Sequence, residues 1–400
     1  MKAYNFPFQK LLFILICLLL LTGCWNSREL DELGIVVTLG VDKTEDGDYI
    51  LAVQVINPSE IATDAPTSRP PVSTYTTTGR TLMEAFRSLT AKNPRTTYLS
   101  QLRLVVLGKT VAEEGVMPVL DLLYRDHEFR TSFYMAIAKN APVENMLSII
   151  TPYEKIPANK IMGSIENVER HWAATKGVSI DKVIASIRNP GEDPVMSGIR
   201  LLGEEDIGTN ISNVENVDAP TKLEIDEIGV FKGDKLTGWL NEEESQGLNY
   251  ATGNVHSTVI THPCEDEGSL SVELLRTSGA MKGKIKNDQP VIDIKVEAEG
   301  NVGEVDCKVD LSKPEALEKV NKQAEKAIKE SIEATLAKAQ KEYGSDVFGF
   351  GGVIHRDQPK YWKKVEKEWS SYYQDVEVNI EANVKIRRKG NSIQPINKES

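Results

Sequence analysis

Val291-Ile292-Asp293-Ile294-Lys295-Val296-Glu297-Ala298-Glu299 alternates apolar and charged residues. A period of two puts Ile292, Ile294 and Val296 on one face and Asp293, Lys295 and Glu297 on the other, so the stretch reads as a strand with one dry and one wet side. Shorter strands at 255–261, 270–275 and 281–286 precede it and make an antiparallel meander. Downstream, Ser312-Lys313-Pro314-Glu315 supplies an N-cap hydroxyl, an early proline and a glutamate at the third helical position, and Gly344 supplies the stop. Between them Val320, Ala324, Ile328, Ile332 and Leu336 form an apolar stripe along one long helix. A free coiled coil is the alternative, but the stripe is weak in leucine and the meander offers a surface to pack on. Val376, Val378, Ile380, Ala382, Val384 and Ile386 then alternate strictly, a last half-buried strand for the same sheet.

Between that helix and the last strand lies Asp346-Val347-Phe348-Gly349-Phe350-Gly351. Its glycines raise the question of a phosphate-binding loop. The Gly-x-Gly-x-x-Gly order opening a helix after a strand is missing, so a turn between two helices is expected. In the following helix Trp362, Val365, Trp369 and Tyr372 are expected on one face.

Toward the N-terminus, residues 225–232 and 236–240 read as a hairpin around Lys232-Gly233-Asp234, and 34–42 with 49–56 as another around Asp46-Gly47. Residues 57–72 are rich in Pro, Ser, Thr and Asp and read as an exposed loop. A strand at 72–78, a helix at 81–91, strands at 102–106 and 133–138 and a short helix at 142–150 follow from their periodicities. Thr110 and Glu113 suggest a capping box, with Gly115 and Pro118 dividing that region into two helical pieces. Asn189-Pro190-Gly191-Glu192-Asp193-Pro194 signals a connector. The expected class is therefore α+β and multidomain, with mixed or antiparallel sheets and packed helices: an N-terminal domain at 24–195, a small β-rich module at 196–254 and a C-terminal domain at 255–400. A length of 400 residues with 40% hydrophobic content fits two or three cores.

Residues 1–23 read as a leader to be removed. Lys2 and Lys10 precede an apolar run from Leu11 to Leu21, which is too short to span a bilayer, and Leu21-Thr22-Gly23-Cys24 closes it. That ending resembles a bacterial lipobox, which implies cleavage before Cys24 and a diacylglycerol on its thiol. Two acyl chains suffice for a stable tether, where one binds only marginally. Ordinary secretion, with Cys24 a chance residue at the cut, is the alternative.

The net charge is −12, and −14 once the leader with its two lysines is gone. Such a surface repels phosphate backbones, which argues against nucleic-acid binding. Cys264 and Cys307 lie outside the cytoplasm on this reading, where they either form a disulfide across the ends of the meander or stay as two free buried thiols. His127, His171, His256, His262 and His355 show no H-x-x-x-H spacing, and His262-Pro263-Cys264 lacks two further ligands nearby, so no metal and no cofactor is expected. Ser197-Gly198 and Ser278-Gly279 have no nucleophile-elbow context. The charged groups at Arg125–Arg130 and Glu242-Glu243-Glu244 read as solvated surface.

Gly23-Cys24-Trp25-Asn26-Ser27-Arg28-Glu29-Leu30, Leu39-Gly40-Val41-Asp42, Lys155-Ile156-Pro157-Ala158, Val230 to Leu240, and Asp346 to Gly351 with His355-Arg356 and Trp362-Lys363-Lys364 occur in an order that resembles the Ger(x)C family. These are the lipoprotein C subunits of bacterial spore germinant receptors. The resemblance implies a non-enzymatic subunit, tethered through Cys24 to the extracytoplasmic face of the spore inner membrane, that joins the integral membrane A and B subunits in nutrient-triggered germination. It carries over no catalytic residue. The rival classes are a tethered cell-wall hydrolase, which needs two carboxylates or a metal in a cleft, and a solute-binding lipoprotein, which needs two lobes of alternating strands and helices.

Overall fold

The computed structural model describes residues 32–61, 69–264 and 267–388. Cys24 and the apolar leader lie outside the described residues.

The first sheet has nine strands: β1 (Leu33–Lys43), β2 (Tyr49–Ile56), β3 (Val72–Gly79), β4 (Thr96–Tyr98), β5 (Leu104–Leu107), β6 (Tyr134–Ala138), β7 (Val195–Leu202), β8 (Lys222–Lys232) and β9 (Lys235–Leu240). Its order is β3-β2-β1-β5-β6-β7-β8-β9, with β4 alongside the start of β1. The central strands β1, β5, β6 and β7 run parallel, and an antiparallel hairpin flanks them at each side. Parallel strands need helical crossovers, which leave both faces covered. Leu104–Leu107 is accordingly buried throughout. Leu104 and Val106 face Met146, Leu147, Ile161 and Ile165 from helices Val143–Ser148 and α1 (Pro157–His171). Val105 and Leu107 face the helices at Leu82–Ser88, Lys109–Glu114 and Met117–Arg125, together with α2 (Ile180–Arg188).

Several local expectations are met and some move. Thr81 caps Leu82–Ser88 by accepting a hydrogen bond from the Glu84 amide. The helix at 109–114 starts instead after Gly108, so Thr110 lies inside it and caps nothing. Gly108 is there because the Asp42 carboxylate fills the space, with Oδ1 2.0 Å from where a Cβ would stand. The 57–72 loop contains a helical turn at Pro58–Ile61, and residues 62–68 lie outside the described residues. Strands β7, β8 and β9, from the stretch read as a module at 196–254, are hydrogen-bonded into the first sheet. The connector signal at 189–194 is the turn by which the crossover through α1 and α2 enters β7.

After β9 comes α3 (Glu242–Thr252), whose first turn holds the three glutamates. Asn241 and Glu244 form a reciprocal capping box there. The second sheet runs β10 (Thr258–Pro263), β11 (Ser269–Lys286), β12 (Gln289–Val305), then β13 (Glu377–Arg388). The stretches 270–275 and 281–286 belong to one continuous strand. Small residues join them, and Gly279 among them lets the C-terminal end of α3 pack closely. The Tyr250 carbonyl lies 2.2 Å from where a Cβ on Gly279 would stand. The last strand pairs parallel to β12, because the chain returns to it through a helical crossover.

That crossover begins with α4 (Pro314–Leu336), which runs into a π-helical turn at Ala337–Glu342. Lys313 is its N-cap residue, while the Ser312 hydroxyl bonds Asp310 instead. Val320, Ala324, Ile328 and Ile332 are buried against the sheet and α3. Helix α4 also shields the free edge of β13: Glu325 accepts from the Val384 amide at 3.1 Å and Asn321 from the Ile386 amide at 3.1 Å. An uncovered strand edge invites pairing with another chain, and these two side chains occupy the groups that would do it. Three short pieces complete the crossover: α5 (Phe350–Asp357), α6 (Pro359–Val365) and α7 (Trp369–Tyr373). One hydrophobic cluster runs without interruption from Leu39 and Val105 of the first sheet to Ile294 and Val384 of the second.

Candidate functional site

The two halves meet where residues 189–194 and 230–239 pass residues 343–352. The Asp193 amide donates to the Asp346 carbonyl at 2.9 Å, and the Gly352 amide to the Gly191 carbonyl at 3.2 Å. The Asp193 carboxylate accepts from the Asp346 amide at 2.9 Å and from the Gly233 amide at 2.7 Å, so one side chain ties the connector, the β8–β9 turn and the glycine turn together. Ser345 donates to the Phe231 carbonyl. The Tyr343 hydroxyl accepts from the Trp239 amide at 3.3 Å and donates to the Trp239 carbonyl at 3.2 Å.

Two glycines face each other at the centre. A Cβ on Gly351 would stand 2.3 Å from Gly191 Cα and 2.7 Å from Trp369 Nε1. Backbone packed against backbone leaves no side chain free to yield, which is why glycine occupies both positions.

Asp346 sits inside this junction, 4% exposed. Its carboxylate accepts from the Phe350 amide at 2.8 Å, the Gly351 amide at 2.9 Å and Trp369 Nε1 at 2.8 Å. No cation pairs with it among the described residues. Burial pushes its carboxyl up to about 7, against the opposing pull of those three donors, and the nearby Asp193 charge adds to the rise. Tyr373 is fully buried beside it, with ring centroids 5.9 Å from Phe350, and burial raises its hydroxyl far above the usual phenol range.

The glycine turn thus does hold a carboxyl group at the start of a helix, and the group is that of its own Asp346. Gly349, at φ 72°, turns the chain so that the first amides of α5 point back at that carboxylate. Sequence reading found the turn and missed the burial of Asp346. Trp369 seven residues beyond Trp362, with Asp346 ahead of a Gly-Phe-Gly, was the available sign.

Cys264 and Cys307 are joined by a disulfide that ties the end of β10 to the segment after β12. Cys24 lies outside the described residues. His262 is buried, neither ring nitrogen has a partner among the described residues, and burial lowers its pKa. No three His, Cys, Asp or Glu side chains come together to hold a metal among the described residues. Asp121 and Arg125 pair with each other on the surface at 2.7 Å. A void lined by Thr38, Gln54, Val106, Leu147 and Ile161 measures about 10 Å³, room for one water. No described helix is long and apolar enough to cross a membrane.

Comparison with known proteins gives two family matches that follow one another along the chain: "Spore germination protein N-terminal domain" over residues 26–201 and "Spore germination B3/ GerAC like, C-terminal" over residues 226–390. The chain belongs to the Ger(x)C family of spore germination proteins. Among its Ger(x)C relatives, spore germination protein KC of Bacillus subtilis (strain 168) is 32% identical, with 96% of each chain covered. Spore germination protein A3 of the same organism is 25% identical over 95% of this chain and 98% of that one. The crystal structure of the GerBC protein superposes with a TM-score of 0.56 at 21% identity, covering 87% of this chain and 96% of that one, a likeness of fold. The two Ger(x)C matches fit a multidomain α+β fold, and the passage from one to the other falls inside one sheet. The first ends within β7 and the second begins within β8, yet β7 and β8 are paired neighbours in one sheet.

Proposed function

We propose that this protein is a lipid-anchored, non-enzymatic subunit of a nutrient germinant receptor, acting in receptor assembly and signalling through protein contacts. The observation that carries the reading is end-to-end likeness to spore germination proteins, with both family matches present in order. The leader pattern ending at Cys24 supports the anchor: two acyl chains on that thiol would hold the ectodomain at the extracytoplasmic face of the spore inner membrane. A single continuous core supports action by contact, since a body without a hinge between its halves presents its surfaces in fixed relation to the membrane A and B subunits.

The test has two parts. The mature wild-type protein partitions into detergent and incorporates labelled fatty acid, and Cys24→Ala abolishes both. Deleting the gene removes germination by its receptor, and crosslinking in spore membranes recovers the A and B subunits with this chain. A water-soluble wild-type product or unchanged germination after deletion would overturn the proposal.

A further inference from the structure

Helix α6 and the turn after it carry Lys360, Lys363, Lys364 and Lys367. At i, i+3 and i+4, Lys360, Lys363 and Lys364 share one face of α6, and Lys367 follows in the 3₁₀ turn beyond it. They are exposed, while Trp362, Val365 and Trp369 on the opposite face are buried. None of the four has an ion-pair partner among the described residues. Like charges at these spacings weaken a helix, so the stripe does nothing for the stability of the element that bears it.

A second basic row, on the β11–β12 hairpin, lies on the other face of its sheet: Gly283 faces Ile354 of α5, so the lysines that alternate with it face away from that helix. Lys282, Lys284 and Lys286 alternate along β11 on the exposed side. That hairpin is tied to α5 and α6 by Arg356 Nη2 donating to the Met281 carbonyl at 2.7 Å, the Gly283 amide donating to Asp357 at 2.9 Å and the Tyr361 hydroxyl donating to the Asp288 carbonyl at 3.1 Å. Segment 355–368, which carries the α6 lysines, holds five Lys and Arg against three Asp and Glu, a local charge of +2 in a chain whose total is −12. On the far face of the sheet Lys284 and Lys286 are paired with Asp293 and Glu377, so the unpaired basic face is that of α6.

We propose that this basic face binds the headgroups of an anionic phospholipid bilayer. Charge complementarity selects the class of partner: acidic surface elsewhere on the chain is repelled by such a bilayer, so the stripe decides which side approaches it. Lysine selects the lipid. Ammonium groups on long flexible stems suit many mobile headgroups, whereas one fixed phosphate is gripped by arginine forks. The inference rests on the proposed anchor in one respect, that Cys24 keeps a bilayer within reach.

The test uses the full-length chain, wild type and a Lys360→Gln, Lys363→Gln, Lys364→Gln, Lys367→Gln variant. Each is partitioned between buffer and vesicles of phosphatidylcholine alone, or of phosphatidylcholine with about one-third phosphatidylglycerol, a mixture anionic enough to engage basic residues. The acyl chains enter both vesicle types alike and the leader lysines are common to both proteins, so the difference between wild type and variant in the ratio of the two partition coefficients reads the patch. Wild type is expected to favour the anionic vesicles by about tenfold or more at low salt, and to lose that preference at high salt. The variant is expected to lose most of it at low salt while melting at the same temperature. An equal ratio in both proteins, or a wild-type ratio insensitive to salt, overturns the proposal. Loss of crosslinks to the membrane subunits in the variant, with no lipid preference in wild type, also overturns it and assigns the face to an acidic protein. The anchor is judged separately, by whether wild type partitions into detergent and Cys24→Ala does not.

Discussion

Asp346→Asn replaces the buried carboxylate at the junction with a neutral group of the same shape. In the folded protein that carboxyl sits at about 7, against an ordinary value of 3.8. The folded state therefore holds a proton that the unfolded chain releases, and the slope of unfolding free energy with pH is negative between the two values. Whatever stability the protonated form confers is fully present below pH 3.8 and is lost as pH rises toward and through 7. Over the whole window the shift corresponds to about 4 kcal/mol, and between pH 5 and pH 8 to roughly 2 to 3 kcal/mol. The asparagine variant does not titrate, so the difference in stability between wild type and variant isolates this one group from every other carboxylate. The variant also turns an amide NH₂ toward a backbone donor, a cost of about 1–3 kcal/mol that is constant with pH. Urea unfolding followed by tryptophan fluorescence reads the right place, because Trp369 donates to Asp346 and its ring lies 5.3 Å from that of Trp362. Wild type should lose roughly 2 to 3 kcal/mol relative to the variant on going from pH 5 to pH 8. A difference that is the same at both pH values would refute the reasoning, since Asp346 would then titrate alike in the folded and unfolded states.

The disulfide between Cys264 and Cys307 closes a loop of 43 residues, for which chain-entropy loss in the unfolded state is worth about 4 kcal/mol. Reductant, or the double substitution to Ala, should lower the urea midpoint accordingly, and an unchanged midpoint would mean that the bridge adds no constraint. Gly351→Ala drives a methyl to 2.3 Å from Gly191 Cα, where only backbone can give way. The loss should reach or exceed the upper end of the roughly 1–3 kcal/mol range for overpacking, read as a fall in melting temperature. Asn321→Ala with Glu325→Ala uncovers the Val384 and Ile386 amides. At about 1 kcal/mol per hydrogen bond, hydrogen exchange at those two amides should quicken roughly fivefold each while the core of β12 stays protected.

Periodicity carried the fold where a side chain's partner is the bulk core. Alternation found β12 and β13, the apolar stripe found α4, and Gly47 and Gly233 marked the two hairpin turns with φ of 87° and 62°. It failed where small or polar residues are buried. Helix α3 hides Ser245, Gly247 and Asn249, so it has no apolar stripe to read; Gly247 is there because the Ser331 carbonyl of α4 stands 2.1 Å from its Cβ position. Its capping box, Asn241 with Glu244, was the surviving signal. Tyr372 was expected inside and packs half-buried against the core, while Tyr373 beside it is the residue that is fully buried. Of the site, the glycine turn was legible and Asp346 was not. A polar residue before a turn looks solvated until residues 189–194, more than 150 positions away, are brought against it.

The pairing of β7 with β8 bears on how such a protein passes a signal. A hinge between two halves needs a few residues that absorb a change in φ and ψ, with an interface that can part. Here the passage from one family match to the other lies between adjacent strands of one sheet, and the second crossing, at Gly191 and Gly351, is backbone against backbone. Neither can open without breaking strand hydrogen bonds or exposing Asp346 and Tyr373. Motion at one surface should therefore reach the other as rotation of the whole body. On that view the proposed tether at Cys24 would set how far the body can travel, and the proposed contact of the α6 lysines with lipid would set which way it faces. Changing the stripe should alter the response to nutrient while leaving the amount of protein at the membrane the same, and changing Cys24 should do the reverse first.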